Sequence, residues 1–200
     1  RSYADIGSFR GEEVELELEP GTRPQFTQPY PIPWARESQL KAQLDELHGC
    51  GIIEQGPPCE WNSPILLIPK PDRGGGGARE YRIVQDLRNV NKCLLGKKFV
   101  FPSIDDFLFS LDGWKVASSL DIKHAFWNLH LTESSSQICA FHALGKTWYP
   151  KRMVMGCQQS SYFLHKAMHK VLGDIPGVYI YADDVLCVSD SIEAHYKLLN

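Results

Sequence analysis

Apolar and polar positions alternate along this chain with two different periods, and the switches between them mark out the elements. In Glu12-Glu-Val-Glu-Leu-Glu-Leu-Glu-Pro20 every second residue is apolar, which predicts an edge strand. The proline-rich stretch from Pro24 to Pro33 is extended, with little room for helix. Leu40, Leu44 and Leu47 then recur at helical spacing within 37–49, and Gly49 or Gly51 supplies the stop. Two strand-like runs, Trp61–Lys70 and Tyr81–Asp86, flank Asp72-Arg-Gly-Gly-Gly-Gly77 and predict a β-hairpin with a mobile tip. Further on, the pattern predicts a short helix at Ile104–Leu111 and a strand at Lys115–Ile122. It predicts a β segment over 137–149 turning at Leu144-Gly-Lys146. A helix follows at Gly156–Leu172, with Leu164, Met168, Val171 and Leu172 inward. The last element is a hairpin at Tyr179–Val188 with two aspartates at its turn. Helices alternating with antiparallel hairpins make the class α+β, and no internal repeat is present.

Composition changes this picture only at the edges. The chain has 200 residues, 43% of them hydrophobic and 22% charged, ample for a globular core. Its longest apolar runs, such as Val178-Tyr-Ile-Tyr181, are strand-sized, so no membrane partner is expected. The N-terminus lacks the layout of a signal peptide, which predicts a cytoplasmic rather than secreted protein. A start without Met and an end within the helical pattern of Tyr196–Asn200 suggest a fragment. Six cysteines contain no Cys-x-x-Cys pair, which argues against structural zinc and a disulfide scaffold. His165 and His169 have metal-ligand spacing but no Glu between them. The net charge of −3 counts against a uniformly basic nucleic-acid footprint. Bases nonetheless gather at Lys92-Lys97-Lys98, Lys146-Lys151-Arg152 and Lys166-Lys170, enough for a local cationic track or for scattered solvated lysines.

The candidate chemistry lies in the acids. Asp183 and Asp184 sit between Ile180-Tyr181 and Val185-Leu186, while Asp121 ends the apolar strand Ala117–Ile122. Adjacent acids in a turn are ordinarily polar turn residues. The apolar flanks here favour a buried, functional pair instead. Should the two strands pair in one sheet, three carboxylates converge on one edge, an arrangement that calls for a compensating cation. Oxygen-only ligands select Mg²⁺ or Mn²⁺, and two such ions are the usual device for in-line phosphoryl transfer. These residues alone leave open which phosphoryl transfer it is.

From about Val14 to Asn200 the chain resembles, colinearly, a reverse transcriptase of the retroviral and gypsy-like LTR-retrotransposon type. Tyr181-Ala-Asp-Asp184 is similar to its Tyr-x-Asp-Asp box, and Leu120-Asp-Ile-Lys-His-Ala-Phe126 to its first acidic motif. Trp61-Asn-Ser-Pro64, Ile68-Pro-Lys70 and Arg82–Lys92 resemble its fingers hairpin. Phe101–Phe107 and Leu18–Pro24 resemble two further segments. The resemblance implies a right-hand polymerase fold with fingers and palm, an antiparallel palm sheet packed on helices, and the thumb absent. It implies an N-terminal extended segment at 1–36, mainly fingers at 37–105 with the hairpin at about 61–92, and mainly palm at 106–200.

The same resemblance implies template-directed DNA synthesis on an RNA or DNA template, adding dNTPs to a primer 3′-hydroxyl with two Mg²⁺, or Mn²⁺ in their place. It implies residence within a larger pol polyprotein with RNase H, in a cytoplasmic retroelement particle. Asp121, Asp183 and Asp184 would be the catalytic, metal-binding carboxylates, with the Ile122 carbonyl assisting. Lys70, Arg82, His124, Ala125, Phe126, Met155 and Gly156 would bind the nucleotide, Phe126 excluding a 2′-hydroxyl. Asp86, Arg88, Asn91, Gln158, Tyr181 and Ala182 would meet template or primer. On the residues alone, Lys70 and Arg82 read equally as surface ion-pair partners, and Phe126 and Trp127 as core. The chain departs from the family pattern at His124, at Val154-Met155 and at Gln159-Ser160-Ser161, all near the implied nucleotide pocket. Two alternatives stand beside this reading. One is a silent, domesticated or degenerate retroelement fragment that binds nucleic acid or protein; the other is a different metal-dependent phosphotransferase.

Overall fold

A computed structural model describes residues 6–11, 13–70, 81–97, 113–181 and 183–200. The glycine-rich tip at 72–77, the helix expected at 104–111, the 101–107 motif and Ala182 lie outside the described residues. By contact the chain divides into two units, Arg1–Gly96 with Phe126–Ser160, and Lys97–Ala125 with Ser161–Asn200. The fingers and palm boundaries drawn from the resemblance are functional names that this division does not address.

The first unit is organised around helix α1, Trp34–Gly49, which begins directly after Pro33. Its stripe of Leu40, Leu44 and Leu47 is buried to 9% exposure or less. Each such leucine contributes on the order of 1.5–3 kcal/mol by leaving water. The stripe packs with Ile52, Ile53, Ile65, Phe141, Ala143 and Trp148. The helix ends as expected, with Gly51 in the left-handed region at φ 66°. Strand β1 (Ile53–Gly56), β2 (Ile65–Pro69), β3 (Tyr81–Gln85) and the one-turn helix α2 (Arg88–Asn91) follow. β2 and β3 form the expected antiparallel hairpin.

Three expectations in this unit are corrected. Over its described residues, 13–20, the alternating segment makes isolated bridges, Val14 to Leu131 and Leu18 to Leu94, rather than a strand. Its period still holds, with Val14 and Leu16 buried. Side chains occupy the place of a ladder partner: the Leu16 amide donates to Ser135 Oγ at 2.7 Å and the Glu17 amide to Gln159 Oε1 at 3.3 Å. The β segment expected from 137 begins later, because residues 137 and 138 close helix α3 (Glu133–Ile138), whose start Thr132 caps by accepting from the Ser135 amide. β5 (Phe141–Ala143) and β6 (Lys146–Pro150) begin only after it, and the sheet order is β1-β6-β5. Gly156, Gln158 and Gln159 are turn residues, so helix α4 starts later than expected, at Ser160, and runs to Leu172.

In α4, Leu164 and Met168 are buried as expected, together with Ala167, but Val171 in the last turn is 59% exposed. Among the described residues the second unit contains one antiparallel sheet in the order β4-β8-β7, from β4 (Val116–Asp121), β7 (Val178–Tyr181) and β8 (Asp184–Ser189). Helix α5 (Ile192–Leu199) is capped by Ser191 and packs on β8 and β4.

Candidate functional site

The β4–β8 register places Asp121 directly opposite Asp184 and Ser118 opposite Cys187. The β7–β8 register sets Tyr181 opposite Asp184 from the other side, so Asp121, Asp184 and Tyr181 form one row across the sheet. Side chains alternate between sheet faces. Ile180, Val185 and Cys187 are buried, and with Ser118, which bonds a residue of α5, they share one face. The row of acids stands on the opposite face. Asp183 occupies the turn between β7 and β8.

Two expectations change here. Asp121, Asp183 and Asp184 are all exposed, not buried. The strands do pair in one sheet, yet among the described residues no three His, Cys, Asp or Glu side chains gather closely enough to hold an ion. The donor set itself suits a hard divalent cation, since it is carboxylate oxygen only, two of the carboxylates stand side by side, and water can complete the shell. The backbone just after Asp121 is unusual: His124 has φ 53°, a conformation non-glycine residues rarely adopt, and Ala125 behind it is buried.

In the first unit a second constellation surrounds a cavity of about 500 Å³, lined by Thr27, Tyr30, Asp86, Arg88, Asn89, Asn91 and Lys92. Arg88 grips Asp86 as a fork, Nε donating to Oδ1 at 2.9 Å and Nη2 to Oδ2 at 2.7 Å, while Tyr30 Oη donates to Oδ2 at 2.8 Å. These bonds, those from Arg88 first, hold the Asp86 carboxyl well below the usual carboxylate range against the opposing effect of burial. Asp86 in turn holds Arg88 charged. Asn91 ties α2 to the loop at Gly156: its Nδ2 donates to the Gly156 carbonyl at 2.9 Å, and its Oδ1 accepts from the Gln158 amide at 2.8 Å. Gly156 has φ 87° and open space where a Cβ would stand. The structure thus brings together Asp86, Arg88, Asn91, Gly156 and Gln158, five of the residues singled out in the sequence, with Met155 half exposed beside them.

Lys70 and Arg82 are exposed at the same end of the β2–β3 hairpin, where Arg82 pairs across from Ile68 and Tyr81 from Pro69. Phe126 is half-buried in a 3-10 turn, Ala125–Asn128. Trp127 packs against the α1 core, as its aromatic character alone suggests.

Two positions of the cavity, Tyr30 and Thr27, escaped sequence reasoning, and Gln159 was noticed only as a departure from the family pattern. Tyr30 lies in a proline-rich stretch whose only legible property is extension. Thr27 joins the cavity wall by accepting from Asn89 Nδ2 at 3.0 Å. Gln159, fully buried, donates to the Leu95 carbonyl at 2.8 Å and so supports the loop from beneath. A buried glutamine carries no periodic signal, so its burial was not available from pattern.

A family model described as reverse transcriptase (RNA-dependent DNA polymerase) matches residues 68–200. Over 93% of its length the chain is 28% identical to the retrovirus-related Pol polyprotein from transposon opus of Drosophila melanogaster, covering 19% of that protein. Over 97% it is 29% identical to the Pol polyprotein of feline endogenous virus ECE1, covering 20%. Among solved structures, the foamy viral protease-reverse transcriptase in complex with RNA/DNA hybrid superposes with a TM-score of 0.84 at 24% identity. That match covers 98% of this chain and 26% of the other. A form of the same enzyme in complex with double-stranded DNA gives 0.82 at 25% identity, covering 98% and 33%. The chain therefore spans about a fifth of the length of these curated relatives.

Proposed function

Because this chain belongs to the reverse transcriptase family, we propose that it carries out template-directed DNA synthesis, adding dNTPs to the 3′-hydroxyl of a primer on an RNA or DNA template. The observation that carries the proposal is the β4–β8 register, which sets Asp121 beside Asp184 with Asp183 in the adjoining turn. Asp121, Asp183 and Asp184 would hold two Mg²⁺ or Mn²⁺ ions, with the Ile122 carbonyl assisting. When bound, such ions activate the attacking hydroxyl and neutralise the charge that develops on the leaving pyrophosphate. The chain's own part is positioning. Lys70 offers a point cation and Arg82 a planar fork to triphosphate oxygens. The His124 and Ala125 amides would meet the same group. Phe126 would reject a ribonucleotide by steric exclusion. Asp86, Arg88, Asn91 and Gln158, together with Tyr30, would hold the template around their cavity, and the Met155-Gly156 loop would border the nascent pair. Tyr181 and Ala182 would approach the primer end.

The relatives named above are Pol polyproteins, and the two structures hold RNA/DNA hybrid or double-stranded DNA. For this chain, nucleic-acid partners and membership of a larger polyprotein are part of the proposal. The test is primer extension on poly(rA)/oligo(dT) with dTTP and Mg²⁺. Incorporation should occur and vanish in Asp183→Ala. Incorporation that persists in that variant overturns the mechanism. Binding of primer–template without any incorporation supports a silent binding module instead.

A further inference from the structure

Helix α5 places a buried histidine on the back of the sheet that bears the acids. His195 is 6% exposed. Its Nε2 lies 2.8 Å from Ser118 Oγ on β4, and its Nδ1 lies 3.1 Å from Ser189 Oγ on β8. A neutral imidazole has one donor and one acceptor nitrogen, and a hydroxyl can play either role, so both bonds form together in either tautomer. One ring therefore ties two strands to one helix.

The tie matters because the two pairings of β8 are secured differently. Only two residues of the chain separate β7 from β8, so their register is set locally. β4 reaches β8 with no turn between them, and Ser118 and His195 stand 77 residues apart. Alternation penalises a slip of one residue, which would turn every side chain to the wrong face. It does not penalise a slip of two, because Val116, Ser118 and Leu120 would all keep their face. Such a slip would set Asp121 opposite position 182 or 186 instead of Asp184. It would also carry Ser118 about 7 Å along the strand, out of reach of a ring still held by Ser189. α5 follows β8 after only Asp190 and Ser191, and Ser191 caps the helix, so the ring moves with β8 and not with β4.

We propose that His195 is a positioning residue: by clasping Ser118 and Ser189 at once, it selects the β4–β8 register that brings Asp121 beside Asp184. The inference rests on the proposed function in taking that acid pair as the divalent-metal site. The sharpest variant is Ser118→Ala, which cuts the arm to β4 without opening a large cavity. Ser118→Thr keeps the hydroxyl and serves as the rescue. His195→Phe removes both arms.

Two readouts need no catalysis. The first is Mn²⁺ titration of the protein without nucleotide or nucleic acid, followed by the electron paramagnetic resonance of the unbound ion. Ser118→Ala should bind Mn²⁺ about threefold to tenfold more weakly, the range to which one lost hydrogen bond translates. Ser118→Thr should stay close to wild type. The second readout is amide hydrogen exchange across 116–121 and 184–189, which should quicken in Ser118→Ala and His195→Phe but not in Ser118→Thr. Wild-type Mn²⁺ affinity and wild-type exchange in Ser118→Ala would overturn the proposal, even with a lowered melting temperature. If Mn²⁺ binding by the unmutated chain survives Asp184→Ala, the metal reading fails. Exchange alone then decides the clasp, quickened amides supporting it and unchanged amides overturning it.

Discussion

Replacing Asp184 by Asn should stabilise the metal-free protein while destroying its response to Mg²⁺. Asp121 and Asp184 are direct cross-strand partners. Side chains in that relation have Cβ atoms about 4.5–5.5 Å apart, and like charges there destabilise the sheet. With both carboxylates exposed, the high-dielectric limit applies. Two charges about 6 Å apart in water repel by about 0.7 kcal/mol. For a chain of this size that is a rise in melting temperature of roughly 1–3 °C on removing one charge. Bound ligand acts oppositely: a single Mg²⁺ at tenfold excess over its Kd stabilises the native state by about 1.4 kcal/mol. Melting curves in EDTA and in excess Mg²⁺, at low and high NaCl, provide the assay. In EDTA and low salt Asp184→Asn should melt higher than wild type. The gap should close near 1 M salt, where the screening length is about 3 Å. In Mg²⁺ the order should reverse. A variant no more stable than wild type at low salt, or one that Mg²⁺ stabilises equally, would refute the pairing of these two acids as a shared cation site.

Three further outcomes follow from other parts of the molecule. Asn91→Ala removes two hydrogen bonds to the 156–158 loop, so unfolding should become easier by about 1–3 kcal/mol; an unchanged melting temperature would contradict the tie. Asp86 has a folded pKa depressed by Arg88 and Tyr30, so its stabilisation is complete above its unfolded pKa of about 4 and fades as pH falls further toward the folded value. The penalty of Asp86→Asn in urea unfolding should accordingly be largest near neutrality and shrink below about pH 4, and a penalty that grows with acid would refute it. Phe126→Val should raise ribonucleotide incorporation relative to deoxyribonucleotide by roughly tenfold or more; unchanged sugar selectivity in primer extension would remove Phe126 from that role.

What was legible in the sequence was whatever period could carry. The leucine stripe of α1, the β2–β3 hairpin and the strands β7 and β8 follow from periodicity and turn chemistry, whereas the pairing of β4 with β8 was a condition that the pattern left open. Several of the failures share a cause, which is side chains doing work that backbone patterns are assumed to do. Thr132, by accepting one amide, caps a helix whose last residues, 137 and 138, take the start of the expected β segment. Ser135 and Gln159 take up amides of the 12–20 segment and leave it as isolated bridges. Tyr30 and Thr27 reach the Asp86–Arg88 cavity from a stretch whose sequence announces only extension. Such contacts link residues far apart in the chain, and no local window contains both partners.

The two aspartates between Ile180-Tyr181 and Val185-Leu186 show why a run is a poorer guide than a period. Counted along the chain, the acids sit among apolar neighbours, which suggests burial. Counted by face, they do not. Ile180, Val185 and Cys187 are buried on the α5 side of the sheet, while Tyr181 and Asp184 stand with Asp121 on the other. The apolar residues that flank the acids are thus the ones that fix the sheet to its helix, and fixing that face aims the opposite one at solvent. Exposure suits the proposed chemistry better than burial would, since a carboxylate that must admit an ion, a triphosphate and a primer end cannot be closed in by its own core. In that proposal the cation would join the acids to phosphate and would not rescue a pair of buried charges.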